Sequence, residues 1–249
     1  MRGLQVVRIL AMLVIRNPIH MYAISWSGGK DSCLAYWKAK ADGLSIGHML
    51  NTYRRDTGRV AFHGVRSEFI QSQSDALGIP LLQIGVDDND YEARFLEVLS
   101  ELRGKRVEGV VFGDIDVRQN RDWCEGICRR VGLESVFPLW MQNQRSIMEE
   151  FIGAGFKAIV VALNSRFLRR EDLGRTLDSR WLERIEALRS GAKESPITYC
   201  GENGEYHTFV YGGPAFSREI EFAPGGIVSN GDYYLMDLIP RNPMEMRST

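Results

Sequence analysis

Cysteine is scarce in this chain and poorly spaced for chemistry. Its four copies among 249 residues, Cys33, Cys124, Cys128 and Cys200, include no C-x-x-C pair and are too few for a disulfide framework. A reducing, cytoplasmic location is the expectation that follows. Cys124 and Cys128 fall on one face of an expected helix and read as core residues. Charge of one sign is missing too. The 31 basic and 32 acidic side chains leave a net −1, which argues against a protein that holds nucleic acid by bulk electrostatics. The single leader-like stretch, residues 1–20, is interrupted by Arg8 and closed by Arg16, and no small-residue cleavage site follows it. It is too short to cross a bilayer, so no membrane partner is expected. It reads as an extension upstream of a natural start at Met21. Repeats and low-complexity tracts are absent as well.

What is present is a beat of strands and helices. From Met21 the chain offers "YAISW" as a buried strand, then a helix stopped by Gly43, then the strand "SIGHMLNTY". "VRSEFIQSQSDALG" places Phe69, Ile70, Ala76 and Leu77 at helical spacing, with Gly78 as its stop. "IPLLQIGV" and "VEGVVFGDI" are further strands around a helix for which Asp90 is the expected N-cap. "RDWCEGICRRVGL" is the next helix; "SVFPLW", a helix over 145–152 and the strand "FKAIVVALN" follow. Such alternation predicts an α/β fold, an open parallel sheet with helices on both faces. The beat weakens after Val131. A boundary near 133 is therefore expected between a nucleotide-type domain, 21–133, and a smaller α+β substrate domain, 134–240, with 241–249 as a tail. Residues 165–195 read as helical and charged, with Arg166, Arg169, Arg170 and Arg175 on a solvated face. Residues 197–240 read as loops and hairpins with "PGG" and "SNGD" as turns. Trp123 and Trp181 read as packing residues.

The informative stretch is "SWSGGKDS", where the first strand gives way to the first helix. Ligands of open parallel sheets sit at the carboxyl ends of the strands, and a helix N-terminus presents free N–H groups to an anion. Gly28 and Gly29 let the backbone approach phosphate oxygens, Ser27 and Ser32 carry hydroxyls, and Lys30 supplies charge. Asp31 would repel a phosphate unless a cation lay between them, a role suited to Mg²⁺. The Walker-type loop is excluded, because Asp31 stands where a Ser or Thr follows the lysine, and no G-x-G-x-x-G fingerprint occurs at the turn. A second cluster, "CGENGEYHTF", puts Glu202, Glu205 and His207 around a glycine turn, where acid–base function is expected.

"SGGKDS" resembles the pyrophosphate loop of the N-type ATP pyrophosphatases, which split ATP between its α and β phosphates. Taken with "GENGEYHTF", with "FHGV" around His63, and with "GDI…RDWCEGIC…GL…PLW" over 113–140, the chain resembles the diphthine–ammonia ligase family from about Met21 to Phe216. The resemblance implies an adenine nucleotide alpha hydrolase-like fold of the HUP type, with ATP and Mg²⁺ as cofactors. Ammonium and a carboxylate acceptor would be the substrates. By the same resemblance Ser27, Gly28, Gly29, Lys30, Ser32, Asn51 and Gly113 would hold ATP and its pyrophosphate, with Asp31 near Mg²⁺. His63, Asp114, Arg121 and Glu202 would face the acceptor, and Lys30, Asp31, Glu205 and His207 would carry catalysis.

The implied chemistry is adenylation of the acceptor carboxylate followed by displacement of AMP by ammonia. Two departures stand out. Asp114 replaces a small residue in the family's "GAI", and His207 replaces the acid of "EYET". They resemble the bacterial-type branch, for which the acceptor would be a small carboxylate in place of diphthine on elongation factor 2. Two rival readings belong to other classes: a tRNA-modifying enzyme of the same fold, and a protein that binds adenine nucleotides without turning them over.

Overall fold

The computed structural model describes residues 20–61, 63–191 and 196–241. Apart from His20 and Arg241, the expected upstream extension and tail lie outside those residues. In chain order the first part contains β1 (Met21–Ser25), α1 (Lys30–Ala41), β2 (Ser45–Arg54), β3 (Arg59–Val60), α2 (Ser67–Leu77), β4 (Leu81–Val86), α3 (Tyr91–Gly104), β5 (Val107–Val111), α4 (Arg118–Arg130) and β6 (Glu134–Val136). The parallel strands lie in the order β4-β2-β1-β5-β6. The progression reverses between β1 and β5, and in open α/β sheets that reversal opens a crevice at the carboxyl ends.

Alternation along the strands sends side chains to opposite faces. Tyr22 and Ile24 pack into a core with α1 residues Cys33, Leu34 and Tyr36. Ala23, between them, faces a second core formed with Phe95, Leu99 and Leu102 of α3 and Ile127 and Cys128 of α4. The sheet is thus covered by helices on both sides, as expected, and Cys124 and Cys128 are core thiols.

Short β3 has a positional role. β1 runs beside β2 only as far as Leu50, whereas β4 accompanies it to Arg54. β3 pairs antiparallel with Tyr53 and Arg54, so it continues on the β1 side and roofs the end of β1. The stretch between β2 and α2 is therefore a hairpin that carries His63 over the crevice.

The second part holds α5 (Gln144–Gly153), β7 (Lys157–Asn164), α6 (Ser179–Ser190), β8 (Tyr206–Gly212), β9 (Phe222–Asn230) and β10 (Tyr233–Pro240). Its four strands form an antiparallel sheet in the order β8-β7-β10-β9. The boundary expected near 133 falls just before β6, so the last strand of the first sheet lies beyond it. One core also spans both parts, joining Ile24 and Leu34 to Val160, Tyr206 and Val210.

Three local expectations are corrected. "PGG" lies inside β9, not at a turn; β9 is an edge strand, where Pro224 costs no ladder bond. The arginine-rich stretch forms a 3-10 turn, Arg170–Asp172, before α6, and Asp172 is fully buried between Arg175 and Arg184. Asp90 occupies the N-cap position of α3 without capping it, because its carboxylate accepts from the Asp87 N–H at 2.7 Å and pairs with Arg55.

The two parts are joined beneath the crevice by Gln73 of α2. Its amide donates to Gly28 O at 3.0 Å and to Val210 O at 2.7 Å, and its oxygen accepts from Trp26 Nε1 at 2.7 Å. Each buried polar partner left unpaired costs about 1–3 kcal/mol. Gln73→Leu is therefore expected to lower the urea midpoint by the equivalent of at least ~2 kcal/mol; an unchanged midpoint would show that this amide does not join the sheets.

Candidate active site

The crevice holds a cavity of about 640 Å³. Ser27, Lys30, Asp31 and Ser32 reach it from the end of β1, Gly113 and Asp114 from the end of β5, and His63 from the roof. Glu202, His207 and Thr208 close it from the second sheet. The two segments singled out in the sequence thus meet across one space.

The loop after β1 depends on its glycines. Gly28 has φ +84°, and a Cβ there would stand 2.7 Å from Ile70 Cδ1. Gly113 allows the end of β5 to press on the start of α1: a Cβ would lie 2.8 Å from Ser32 N. Gly29 is the N-cap of α1 and supplies no capping side chain. The Lys30 N–H donates instead to Thr208 Oγ1 at 3.0 Å, so the second sheet caps the helix.

The Lys30 side chain is buried, its ammonium 2.8 Å from Asp31 Oδ2, donating also to Cys200 O. Burial is the strongest single influence and opposes its charge, but Asp31 and, after it, Tyr206, Cys200 and Glu202 together more than offset that and hold the lysine above its usual range. Burial pushes the Asp31 carboxyl upward against the pull of Lys30. Asp31 Oδ1 is buried without a hydrogen-bond partner.

The "GENGE" turn is built to aim one carboxylate. Gly201 and Gly204 both have φ +78°. Glu205, fully buried, accepts from the Thr198 N–H and from the Asn203 N–H at 2.8 Å. The turn thereby closes on itself and leaves Glu202 facing the cavity. Burial, then the Asp31 charge, push Glu202 up to about 8. Burial also raises the Asp114 carboxyl.

Opposite them the His63 and His207 rings lie 4.9 Å apart. Burial pushes His63 down to about 4 and His207 well below the usual range, with nearby Lys30 adding to both. Both imidazoles are neutral near pH 7.

Several expected site residues lie elsewhere. Glu205 is consumed by backbone amides and does not carry protons to the cavity. Arg121 stacks on Phe137 and Trp140, its guanidinium 4.9 and 4.6 Å from the ring centroids, and pairs with Glu125; it is a packing cation that faces no acceptor. Asn51 is buried, donates to Trp26 O at 2.9 Å in support of the strand end, and is not among the residues that line the cavity. Trp181 packs, as expected, but Trp123 lines the cavity beside Tyr91 and Cys124.

The sequence reading assigned nothing to Thr208. Successive strand residues point to opposite faces, yet Tyr206, His207 and Thr208 all line the cavity. Opposite this stretch the β7 register skips between Val160 and Ala162. Nothing in the local pattern announces it.

Fold and site together define a doubly wound α/β protein with an anion-binding loop at its switch point and an acid–base cluster supplied by a second sheet. The family profile "Diphthamide synthase N-terminal domain" matches residues 20–135, and "Diphthamide synthase C-terminal domain" matches residues 143–235. The mouse diphthine–ammonia ligase is 30% identical over 217 residues, which cover 78% of this chain and 79% of the relative. The fission yeast enzyme of that name is 27% identical over 223 residues, 82% of this chain and 36% of the relative. The crystal structure of a predicted tRNA methyltransferase subunit from Methanocaldococcus jannaschii overlaps 80% of this chain and all of the other, loosely, at 17% identity and a TM-score of 0.41. The chain belongs to the diphthine–ammonia ligase family of PP-loop proteins. It is an ATP-dependent ligase that forms a carbon–nitrogen bond.

The raised pKa of Glu202 has a consequence for stability. Its folded value, about 8, exceeds the ordinary 4.5. Between those limits the native state keeps a proton that the unfolded chain has lost, so stability declines as pH rises through the window. Glu202→Gln should flatten Tm against pH over that range and melt higher than the wild type at its alkaline end. Parallel curves for the two proteins would show that Glu202 is an ordinary exposed carboxylate.

Proposed function

We propose that the chain joins ammonia to a carboxylate, the joining for which diphthine–ammonia ligases are named, and that it does so through an acyl-adenylate. One observation supports this most: the phosphate-type loop around Lys30 and the Glu202–His207 turn share a single cavity. A protein that only bound nucleotides would have no use for the second group.

In the first step a carboxylate oxygen of the acceptor attacks the α-phosphorus of ATP. The bond to the β-phosphate oxygen breaks, and pyrophosphate departs. Lys30, fixed against Cys200 O and Asp31, offers a pre-placed charge to those phosphates. Asp31 Oδ1, buried and unpartnered, fits a Mg²⁺ shared with phosphate oxygens. When bound, the ion would supply further neutralisation of the polyphosphate. Among the described residues no three His, Cys, Asp or Glu side chains form a metal cluster by themselves.

In the second step ammonia attacks the acyl carbon, AMP leaves, and nitrogen loses a proton. Glu202, with a pKa of about 8, is matched to proton exchange near neutral pH. The neutral rings of His63 and His207 present no positive charge to an arriving ammonium ion. The tRNA-thiolase reading needs an activated thiol. The four cysteines are buried, and burial pushes the thiols of Cys33, Cys124, Cys128 and Cys200 upward, the opposite of activation.

The relatives' name supplies diphthine as the first acceptor to test. The departures Asp114 and His207 both line the cavity, which favours trying small carboxylates in parallel. With a competent acceptor, AMP, pyrophosphate and amide should accumulate in equal amounts over many turnovers only with ammonium present. Lys30→Ala and Asp31→Asn should each lose about 10²–10³-fold in turnover, the usual cost of deleting a positioned charge stabiliser. Products ADP and phosphate, or wild-type rates in both variants, would exclude the mechanism.

A further inference from the structure

We propose that Thr208 is a positioning residue that couples occupancy of the phosphate loop to placement of the imidazole pair; this rests on the ligase reading above. Thr208 is buried and uses two of its atoms on two different parts of the site. Its hydroxyl accepts from the Lys30 N–H at 3.0 Å, the first amide of α1. Its carbonyl lies 2.9 Å from His63 Nδ1. A carbonyl only accepts, so His63 carries its proton on Nδ1, and Nε2 is left as the acceptor.

The three groups are in close contact. A Cβ on Gly29 would stand 2.6 Å from His63 Cε1 and 3.2 Å from Thr208 O. A shift of the loop therefore cannot leave the imidazole where it was. Val210, two residues along β8, repeats the link by donating its N–H to Gly28 O at 2.9 Å. His207, adjacent to Thr208 in β8, lines the same cavity. A phosphate that pulls on the loop amides thus acts through Thr208 on His63, and through the ring contact on His207. By this route triphosphate binding sets the acceptor side before ammonia arrives.

The chain has only four histidines, so their imidazole signals can be followed individually by NMR in isotope-labelled protein. In the wild type, α,β-methylene-ATP with Mg²⁺ should shift the signals of both His63 and His207, and His63 should show the Nδ1–H tautomer. Thr208→Val keeps the shape and removes the hydroxyl. It should weaken binding of the analogue about tenfold by calorimetry and abolish the His207 shift, and Thr208→Ser should restore both. A purely structural threonine would lower Tm in the valine variant and leave the analogue-induced shift in place. That result would overturn the proposal, as would wild-type affinity in folded Thr208→Val. Should the valine variant not fold, the wild type alone decides: unmoved histidine signals on saturation with the analogue refute the coupling. Failure of the wild type to bind the analogue at all would instead remove the ligase reading, and this inference with it.

Discussion

The site rests on the contact between the loop that follows β1 and strand β8. A glycine-rich turn is conformationally free and costs entropy to order. In most helices a side chain at the N-cap restrains such a turn, but Gly29 has none to offer. The restraint comes from far along the chain: Thr208 takes the Lys30 N–H, Val210 donates to Gly28 O, and Cys200 O holds the Lys30 ammonium. The second sheet is therefore part of the phosphate loop's own architecture. The unbroken core from Ile24 to Tyr206 and Val210 makes the same point in apolar terms. Neither sheet could rotate away without uncovering the other's aromatic and aliphatic side chains.

Once the loop is fixed in that way, its electrostatics follow. Lys30 is buried and poorly screened by water, so its influence reaches the groups nearest it in the cavity. It pulls on Asp31 and helps drive both imidazoles to neutrality. Carboxyl groups at 31, 114 and 202 resist simultaneous ionisation, and burial strengthens that resistance. Such a cavity is mismatched on its own. Bound polyphosphate, a divalent cation and ammonium would each relieve part of the mismatch, so strain of this kind suits a site that must take in several charged reactants in turn.

Much of the fold was legible because hydrophobic period and turn chemistry agree in the first part. Phe69, Ile70 and Ala76 with Gly78, or Val110 and Val111 ahead of Gly113, leave little choice of element. The phosphate loop was legible for a different reason: a lysine, an acid, two hydroxyls and two glycines at one junction have few other uses. Residues whose position depends on distant partners were not. Glu205 looks like an acid–base residue until the Thr198 and Asn203 amides close on it. Arg121 looks available until Phe137 and Trp140 stack on it. Asn51 and Asp90 are claimed by tertiary contacts in the same way. Thr208 was invisible because its partners, the Lys30 N–H and His63, lie far from it in the chain.

On the proposed reading, Asp114 and His207 would bear on acceptor choice through the distribution of charge across the cavity. Relative to the "GAI" and "EYET" pattern that the chain otherwise resembles, Asp114 adds a carboxyl at the end of β5, and His207 removes one from β8. The count of acidic groups is unchanged, but one has moved from the second sheet to the first. Lys30, Asp31 and Glu202 do not move with it, so the transfer leaves the groups nearest the phosphates as they were. A cationic part of an acceptor would follow the carboxyl toward α4 and Trp123 and leave the vicinity of β8, where a neutral imidazole now stands. A change of acceptor would disturb this architecture least at those two positions, because both line the cavity and neither ties the loop to the second sheet.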